Sequence, residues 1–203
     1  SDANDQIDAL GTAILEPRLN TQQLNLFGEG EYSSTPDSAS LDLTTTATWE
    51  IWGNFYGDIG ATEIIFSKDI SGAANRGWNI NKSVGAAANR MDISVVNDVN
   101  GGTVAYSQVG LLDQVQHVVY TFTSGVFKCY VDSVEVTLTK YFGVTPTSSL
   151  PNVSYPVMIG TFNDPTPSAF AARAIGSTKI YNVALTAAEV LTNYNTQKSL
   201  YGL

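Results

Sequence analysis

The chain has 203 residues and a formal net charge of −9, from ten basic and nineteen acidic side chains. This length is sufficient for one well-cored domain. The acidic balance excludes a nucleic-acid partner, since contacts to phosphates need clustered lysine and arginine. We also expect no membrane insertion, because no apolar run approaches the ~20 residues of a spanning helix. Charged residues make up only 14% of the chain, a balance that favours strands and turns.

The beginning of the sequence and its single cysteine give information about the cellular compartment of the protein. Cys129 has no partner for an intramolecular disulfide. That fits a reducing compartment, and it equally fits an exterior bacterial or viral protein that avoids cysteine. The sequence begins at Ser1 without a signal-peptide pattern, so we expect either a removed leader or a fragment.

The N-terminal part of the chain predicts an arm followed by one domain. Residues 1–23 are polar and acidic at the start, and we expect a loosely attached arm with a short helix or a strand around Thr12–Leu15. Period-two alternation begins at Leu24, which predicts a strand there. We therefore place a single domain over residues 24–203.

Residues Thr44–Phe55 predict the strongest strand, because β-branched and aromatic side chains are dense there. Alternation places Trp49 on one face, and Glu50 with Trp52 on the other. Aromatic side chains on both faces are typical of a central strand that is covered on both sides.

Short segments bounded by turn residues follow this strand. The sequence Leu185-Thr186-Ala-Ala-Glu189 is a capping box, with Leu185 and Val190 placed as a hydrophobic staple, and predicts one helix over Thr186–Gln197. Tyr141–Asn152 reads as a loop. Together the elements predict an all-β fold, a two-sheet antiparallel β-sandwich of the jelly-roll type with one short C-terminal helix. The further predicted strands are Glu63–Ser67, Gly77–Asn81, Met91–Val96, Thr103–Val109, Val115–Thr123, Val126–Val131, Val134–Thr139, Pro156–Thr161, Ala169–Ala174 and Thr178–Tyr181.

Six motifs in this order resemble the laminin-G-like, concanavalin A-like jelly-roll family. They are LNLFGEGEYSSTPDSASLDL, WEIW, QHVVYTF, FKCYVDSVEV, VMIG and KIYNVALTAAEV, and they cover roughly Leu24 to Tyr194. The resemblance implies the sandwich fold of that family. The residues that carry it are Phe27, Gly28, Tyr32, Pro36, Asp37, Leu41, Trp52, His117, Tyr130, Asp132, Leu185 and Glu189.

The resemblance also implies a structural calcium ion, because family members commonly have an acidic residue shortly before the Lys/Arg-Ile-Tyr strand. Those positions are Gly176 and Ser177 in this chain, and neither side chain supplies the carboxylate that calcium favours. We therefore expect no cofactor and no metal site, with structural calcium as the alternative. The family's Val-Asp-Gly turn has Ser133 in place of its glycine.

Candidate catalytic groups do not form a recognisable set. His117 reads as a packed residue of a strand, and Cys129 alternates with Phe127 and Val131 as a buried hydrophobe. Glycoside hydrolases on this sandwich fold use two acids on alternate residues, ~5 Å apart in the retaining class. Glu50 has Thr48 and Trp52 at those positions, so we expect a hydrogen-bonded structural carboxylate and no enzyme activity.

Ligand-binding candidates lie in loops between the predicted strands. Asparagine, aspartate and arginine side chains there, with aromatic rings beside them, are the groups that bind sugars. The alternative is that these are solvated turn residues chosen for backbone geometry. The candidates are Tyr56, Asp69, Asn75, Arg76, Trp78, Asp98, Asn100, Phe162, Asn163 and Asp164.

Three functions remain open at this point. The first is a non-catalytic binding or adhesion module for carbohydrate or a protein surface, on a secreted or surface-displayed protein. The second is a structural display or decoration protein of a virion or surface layer, with assembly contacts through the N-terminal arm and the apolar tail of Leu200, Tyr201 and Leu203. A polysaccharide-degrading enzyme ranks last.

Overall fold

The computed structural model describes residues 5–7, 13–15, 32–57, 60–70, 76–83, 90–97, 102–109, 111–143, 149–164, 169, 171 and 174–203. Within these ranges fourteen strands and one α-helix are seen, with short 3₁₀ turns at Ala39–Leu41 and Lys198–Tyr201. The strands are β1 (Asp5–Ile7), β2 (Ala13–Leu15), β3 (Ser33–Thr35), β4 (Thr46–Asn54), β5 (Glu63–Lys68), β6 (Trp78–Lys82), β7 (Arg90–Asn97), β8 (Gly102–Val109), β9 (Gln116–Thr123), β10 (Val126–Val131), β11 (Val134–Val136), β12 (Thr139–Gly143), β13 (Val157–Ile159) and β14 (Ala174–Tyr181), and the helix is α1 (Ala187–Gln197).

The strands form two antiparallel sheets of seven strands each. Sheet A has the order β1-β2-β14-β4-β9-β10-β11, and sheet B has the order β12-β8-β7-β6-β5-β13-β3. The two sheets face each other across one hydrophobic core, which confirms the predicted jelly-roll β-sandwich.

β4 is the central strand of sheet A and pairs with β14 on one side and β9 on the other. Its alternation is the predicted one. Trp49 and Ile51 enter the core between the sheets, whereas Glu50 and Trp52 lie on the opposite face, and all four are buried. Coverage on both faces explains why this strand has a large aromatic side chain on each of them, Trp49 on one and Trp52 on the other.

The core contains a cluster of aromatic rings in contact with one another. Trp49 of sheet A lies 5.3 Å from Trp78 of sheet B, measured between ring centroids, and Phe66 meets Trp78 edge-on at 5.3 Å. Such tilted and edge-to-face pairs contribute beyond the area they bury. Of the two pairs, Trp49–Trp78 joins the two sheets, whereas Phe66–Trp78 lies within sheet B.

The hairpin turns in sheet A use residues with positive φ. Ser124 and Gly125 have φ of 44° and 92°, and Asp132 and Ser133 have φ of 49° and 69°. Two successive residues with positive φ are typical of the turn that matches the twist of a two-residue hairpin. Ser133, where the family has glycine, therefore holds a conformation that favours glycine.

The C-terminal helix begins as the sequence predicts. The Thr186 hydroxyl accepts a hydrogen bond from the backbone N–H of Glu189, and the Glu189 carboxylate accepts one from the backbone N–H of Thr186. Val190 is buried against sheet A with Leu185 packed beside it, so the staple is also present. The helix lies on the outer face of sheet A, and none of the described helices is long and apolar enough to cross a membrane.

Two sequence predictions about strands are corrected by the topology. The strand predicted at Val134–Thr139 ends at Val136, and the chain then crosses to sheet B, where β12 pairs with β8. β12 occupies the start of the segment that we predicted as a loop, Tyr141–Asn152. Alternation cannot identify such a crossing, because strand-like residues continue on both sides of it.

Part of the predicted N-terminal arm belongs to sheet A. Ala13–Leu15 pairs with Thr178–Ile180 of β14, and Asp5–Ile7 pairs with Ala13–Leu15 in turn. The strand expected around Thr12–Leu15 is therefore present, whereas an arm loosely attached along its whole length is not. The strand predicted from Leu24 lies outside the described residues.

Candidate functional site

Asp69, directly after β5, is the anchor of a polar cluster on sheet B. Its side chain is fully buried. Its carboxylate accepts hydrogen bonds from the backbone N–H groups of Ile70 and Gly77 and from the Asn79 side chain. A carboxylate that accepts from the first and last parts of a loop fixes both ends of that loop. Asp69 thereby sets where the loop returns to the sheet at β6.

The same carboxylate positions Arg76. The Arg76 Nε donates to Asp69 Oδ1 at 3.1 Å, and Nη2 donates to Oδ2 at 2.6 Å, a two-point pairing. The guanidinium carbon lies 5.7 Å from the centroid of the Phe162 ring, within the range of a cation–π contact. The Arg76 side chain remains 24% exposed, and Phe162 is half-buried.

A reversal of the chain after β13 brings Phe162 to this place. Gly160 has a φ of +87°, which allows the turn. The Ser67 hydroxyl then donates to the Thr161 carbonyl, and the Asn163 N–H donates to the Asp69 carbonyl at 3.1 Å. Residues 161–164 thus fold back along β5. We call the group Asp69, Arg76, Phe162, Asn163 and Asp164 the Arg76 rim.

The rim contains five of the ten residues that the sequence singles out as ligand-binding candidates. Trp78 does not belong to it, because its side chain is 1% exposed and lies in the core, so the prediction of Trp78 as a ligand-binding residue is wrong. Tyr56 is 41% exposed but lies at the other end of the sandwich, since β5 runs from there to the rim over about 17 Å. Asn75, Asp98 and Asn100 lie outside the described residues.

A second polar cluster lies between sheet A and α1, around the carboxylate of Glu50. This side chain is 1% exposed. Register places it beside Lys179 of β14, whose ammonium nitrogen is 3.5 Å from Oε1. The other groups around the carboxylate are His117 Nε2 at 3.2 Å, Tyr181 OH at 2.9 Å, Asn193 Nδ2 at 2.7 Å and Gln197 Nε2 at 3.1 Å.

These partners decide the charge of Glu50. Burial disfavours the ionised carboxylate and by itself raises the pKa. The hydrogen bond from His117 and the positive charge of Lys179 oppose burial and, with the Asn193 amide, lower the pKa of Glu50 from 4.5 to about 2. Glu50 is therefore ionised at neutral pH, and two of its partners, Asn193 and Gln197, belong to α1. Through these hydrogen bonds the Glu50 carboxylate holds α1 against sheet A.

Stacked rings continue this contact toward the C-terminus. Trp52 stacks on His117 at 4.6 Å and on Tyr201 at 4.4 Å, between ring centroids. The Tyr201 hydroxyl accepts a hydrogen bond from the Ser177 N–H. At Gly176, an added Cβ would lie 2.8 Å from the Tyr201 ring. The positions where the family resemblance implies a calcium-binding acid are thus in direct contact with Tyr201.

The surroundings of Glu50 differ from those of the acid pair of a glycoside hydrolase. A general acid must hold a proton near the working pH, whereas Glu50 has a lowered pKa and no exposed surface. Among the described residues, the side chains that contact its carboxylate are basic or neutral, and none supplies the second carboxyl of a glycoside hydrolase pair. Cys129 is also buried, and burial raises the pKa of its thiol, which disfavours the nucleophilic thiolate.

In the parts of the chain that the structure describes, no three histidine, cysteine, aspartate or glutamate side chains are grouped as metal ligands. Lys68 contacts two carboxylates: its buried ammonium lies 2.8 Å from Asp37 and 3.0 Å from Asp42. This ion-pair cluster ties the segment before β4 to the end of β5. Alternation alone does not reveal it, because the three residues are distant in sequence.

The sequence comparison agrees with this architecture. The family model described as the concanavalin A-like lectin/glucanases superfamily, of the laminin G type, matches residues 27–191. The chain belongs to this superfamily. No curated protein matches the chain.

Solved structures show the same fold at low sequence identity. Trypanosoma rangeli sialidase aligns with a TM-score of 0.61 and 16% identity, over 93% of this chain and 30% of that one. The binding domain of Paraclostridial Mosquitocidal Protein 1 gives 0.58 and 11%, over 86% and 44%. A botulinum neurotoxin type C structure, whose report describes cell entry that depends on two ganglioside molecules, gives 0.56 and 11%, over 94% and 44%. The chain spans less than half of each of these proteins.

Proposed function

We propose that this superfamily member is a non-catalytic carbohydrate-binding module of a secreted or surface-displayed protein, and that the Arg76 rim is its binding site. The observation that carries the proposal is the convergence of Arg76 and Phe162, from two separate loops, at a partly exposed place. Sugar sites combine an aromatic surface with a few fixed hydrogen-bonding groups. Asp69 provides the fixation, because it is buried and holds the guanidinium at two points.

The functions of the structural neighbours support this proposal in a general way. The neurotoxin structure concerns interaction with ganglioside molecules, and the mosquitocidal protein structure is a binding domain. The superfamily includes both lectins and glucanases. The buried and ionised state of Glu50 favours a lectin over a glucanase.

A glycan array tests the proposal. We expect the wild-type chain to bind a defined set of glycans, with or without calcium in the buffer, and to release no product from them. Absence of binding to every glycan at high protein concentration would contradict the proposal. Turnover of a polysaccharide that is lost in Glu50→Gln would instead show an enzyme.

A structural display function is the second candidate, and the exposed C-terminal leucines favour it. Leu200 and Leu203 are 67% and 43% exposed, although Tyr201 between them packs on Trp52. Replacing both leucines with serine should abolish assembly into a larger particle while leaving urea unfolding of the domain unchanged. Assembly that survives the double replacement would eliminate this candidate.

A further inference from the structure

We infer that the Arg76 rim binds acidic sugars, and that Arg76 recognises the sugar carboxylate through two parallel N–H groups. This inference rests on the proposed function and adds the ligand class. It follows from the hydrogen bonds that Asp69 and Arg76 already make within the chain.

Asp69 engages one edge of the Arg76 guanidinium and leaves the other edge unused. A guanidinium has five N–H donors, and Asp69 accepts from two of them, one on Nε and one on Nη2. In the part of the chain that the structure describes, Asp69 is the only group that accepts a hydrogen bond from Arg76. At the second edge, one N–H of Nη1 and one of Nη2 point in parallel. This fork matches the two oxygens of a carboxylate.

Asp69 itself is not available to a ligand. Its side chain is 0% exposed, whereas that of Arg76 is 24% exposed. The two Asp69 oxygens accept from the backbone N–H groups of Ile70 and Gly77, from the Asn79 amide and twice from Arg76. Because a carboxylate has about four lone-pair sites, these five hydrogen bonds fill them. The exposed polar groups of the Arg76–Asp69 pair are therefore donors alone.

A site that offers only donors favours a ligand group that only accepts. A sugar hydroxyl can accept from Arg76, but its own hydrogen then needs an acceptor, which the filled Asp69 carboxylate does not provide. A sugar carboxylate carries no hydrogen at neutral pH, and hydrogen bonds between two charged groups are roughly twice as strong as neutral ones. At the second edge it would lie closer to the guanidinium than to Asp69. The repulsion from Asp69 is also reduced, because three donors besides Arg76 compensate its charge.

The position of the guanidinium is fixed before a ligand arrives. The hydrogen bonds to Asp69 measure 3.1 Å and 2.6 Å and hold the group in a plane. The Phe162 ring, 5.7 Å from the guanidinium carbon, supports it from a second loop. An arginine that is already ordered loses little side-chain entropy on binding. Arg76 is thus prepared for two-point recognition of a carboxylate.

Acidic glycans and their methyl esters test the inference by isothermal titration calorimetry, because esterification removes the charge of the carboxylate and leaves the rest of the sugar intact. The probes are α2,3-sialylated N-acetyllactosamine, trigalacturonate and the strongest acidic hit of the array. We expect at least one acid to bind at least about tenfold more tightly than its ester. The acid that does so distinguishes a sialic acid from a uronic acid as the source of the carboxylate.

Two results would overturn the inference while carbohydrate binding stands. One is an ester that binds as tightly as its acid for every acid that binds. The other is an array on which all hits are neutral glycans. Absence of binding to any glycan would contradict the proposed function itself.

The variant Arg76→Lys gives a second readout, since lysine keeps the positive charge but lacks the planar fork. It should lower the ratio of acid to ester affinity several-fold, with urea unfolding confirming that the variant is folded. Arg90→Lys is the matched control. Arg90 is also 24% exposed and paired at two points with a buried aspartate, Asp92, but β7 places it roughly 17 Å from the position beside Trp78.

The ratio of acid to ester affinity should be unchanged in Arg90→Lys. An unchanged ratio in folded Arg76→Lys, or a loss confined to Arg90→Lys, would overturn the assignment of the carboxylate to Arg76.

Discussion

Replacing Glu50 with glutamine is expected to destabilise the domain strongly and in a pH-dependent way. The folded-state pKa of Glu50 is about 2, against an ordinary value of 4.5. At 1.36 kcal/mol per pKa unit, the ionised carboxylate contributes about 3 kcal/mol to the free energy of unfolding at neutral pH. The glutamine amide also places two donor hydrogens against the donors Asn193 and Gln197, so the loss is at least of this size.

The sign of the pH dependence follows from the lowered pKa. The contribution is complete above pH 4.5 and is lost as pH falls toward 2, because protons then bind the unfolded chain more readily than the folded one. The stability difference between wild type and Glu50→Gln should therefore be largest at pH 7 and should shrink between pH 4.5 and 2.

Urea-induced unfolding followed by tryptophan fluorescence measures this difference. With a urea slope of about 2 kcal/mol/M, the midpoint of Glu50→Gln should fall by about 1.5 M at pH 7. Glu135→Gln is the matched control, because Glu135 pairs with Lys128 at 3.1 Å on the exposed surface, and its midpoint should barely move. A Glu50→Gln midpoint within about 0.2 M of wild type, or a difference between the two midpoints that does not change with pH, would refute the conclusion that Glu50 holds α1 against sheet A.

Three further predictions concern other parts of the fold. Gly176→Ala places a methyl group against the Tyr201 ring and should lower the free energy of unfolding by about 1–3 kcal/mol; thermal unfolding measures it, and an unchanged Tm would contradict the packing. Ser133→Gly should raise stability by up to about 1 kcal/mol, because φ is +69° there, and a lower urea midpoint would show that the serine is not strained. Cys129 should resist a thiol reagent at pH 8 until urea unfolds the chain, since burial raises its pKa; fast labelling of the folded protein would contradict its burial.

Much of the fold could be predicted from local sequence signals. The dense β-branched and aromatic run at Thr44–Phe55 predicts β4 and its two faces, and the capping box at Thr186 predicts α1 to within a residue. Both signals act over a few neighbouring residues, so the sequence displays them directly. The crossing after Val136 is different, because only tertiary packing decides which sheet receives the next strand.

Locating the candidate site required the structure to a greater extent than predicting the fold did. The sequence identified the loops that contain Arg76 and Phe162, but their meeting requires the chain reversal at Gly160 and the buried Asp69. The partners of Glu50 show the same limitation, because Asn193 and Gln197 lie over 140 residues from it. Their four-residue spacing places them on one helix face, but the spacing does not identify the carboxylate to which they donate.

Binding of the strongest glycan hit to two alanine variants tests the central claim most directly. Phe162→Ala removes the aromatic ring at the Arg76 rim, and Tyr56→Ala removes an exposed ring of similar size at the other end of the sandwich. Isothermal titration calorimetry should show a loss of at least about tenfold in affinity for Phe162→Ala, in line with the ~1.5–3 kcal/mol that burial of a phenylalanine side chain contributes, and no change for Tyr56→Ala. Full affinity in Phe162→Ala, with urea unfolding confirming that both variants are folded, would contradict the placement of the sugar site at the rim.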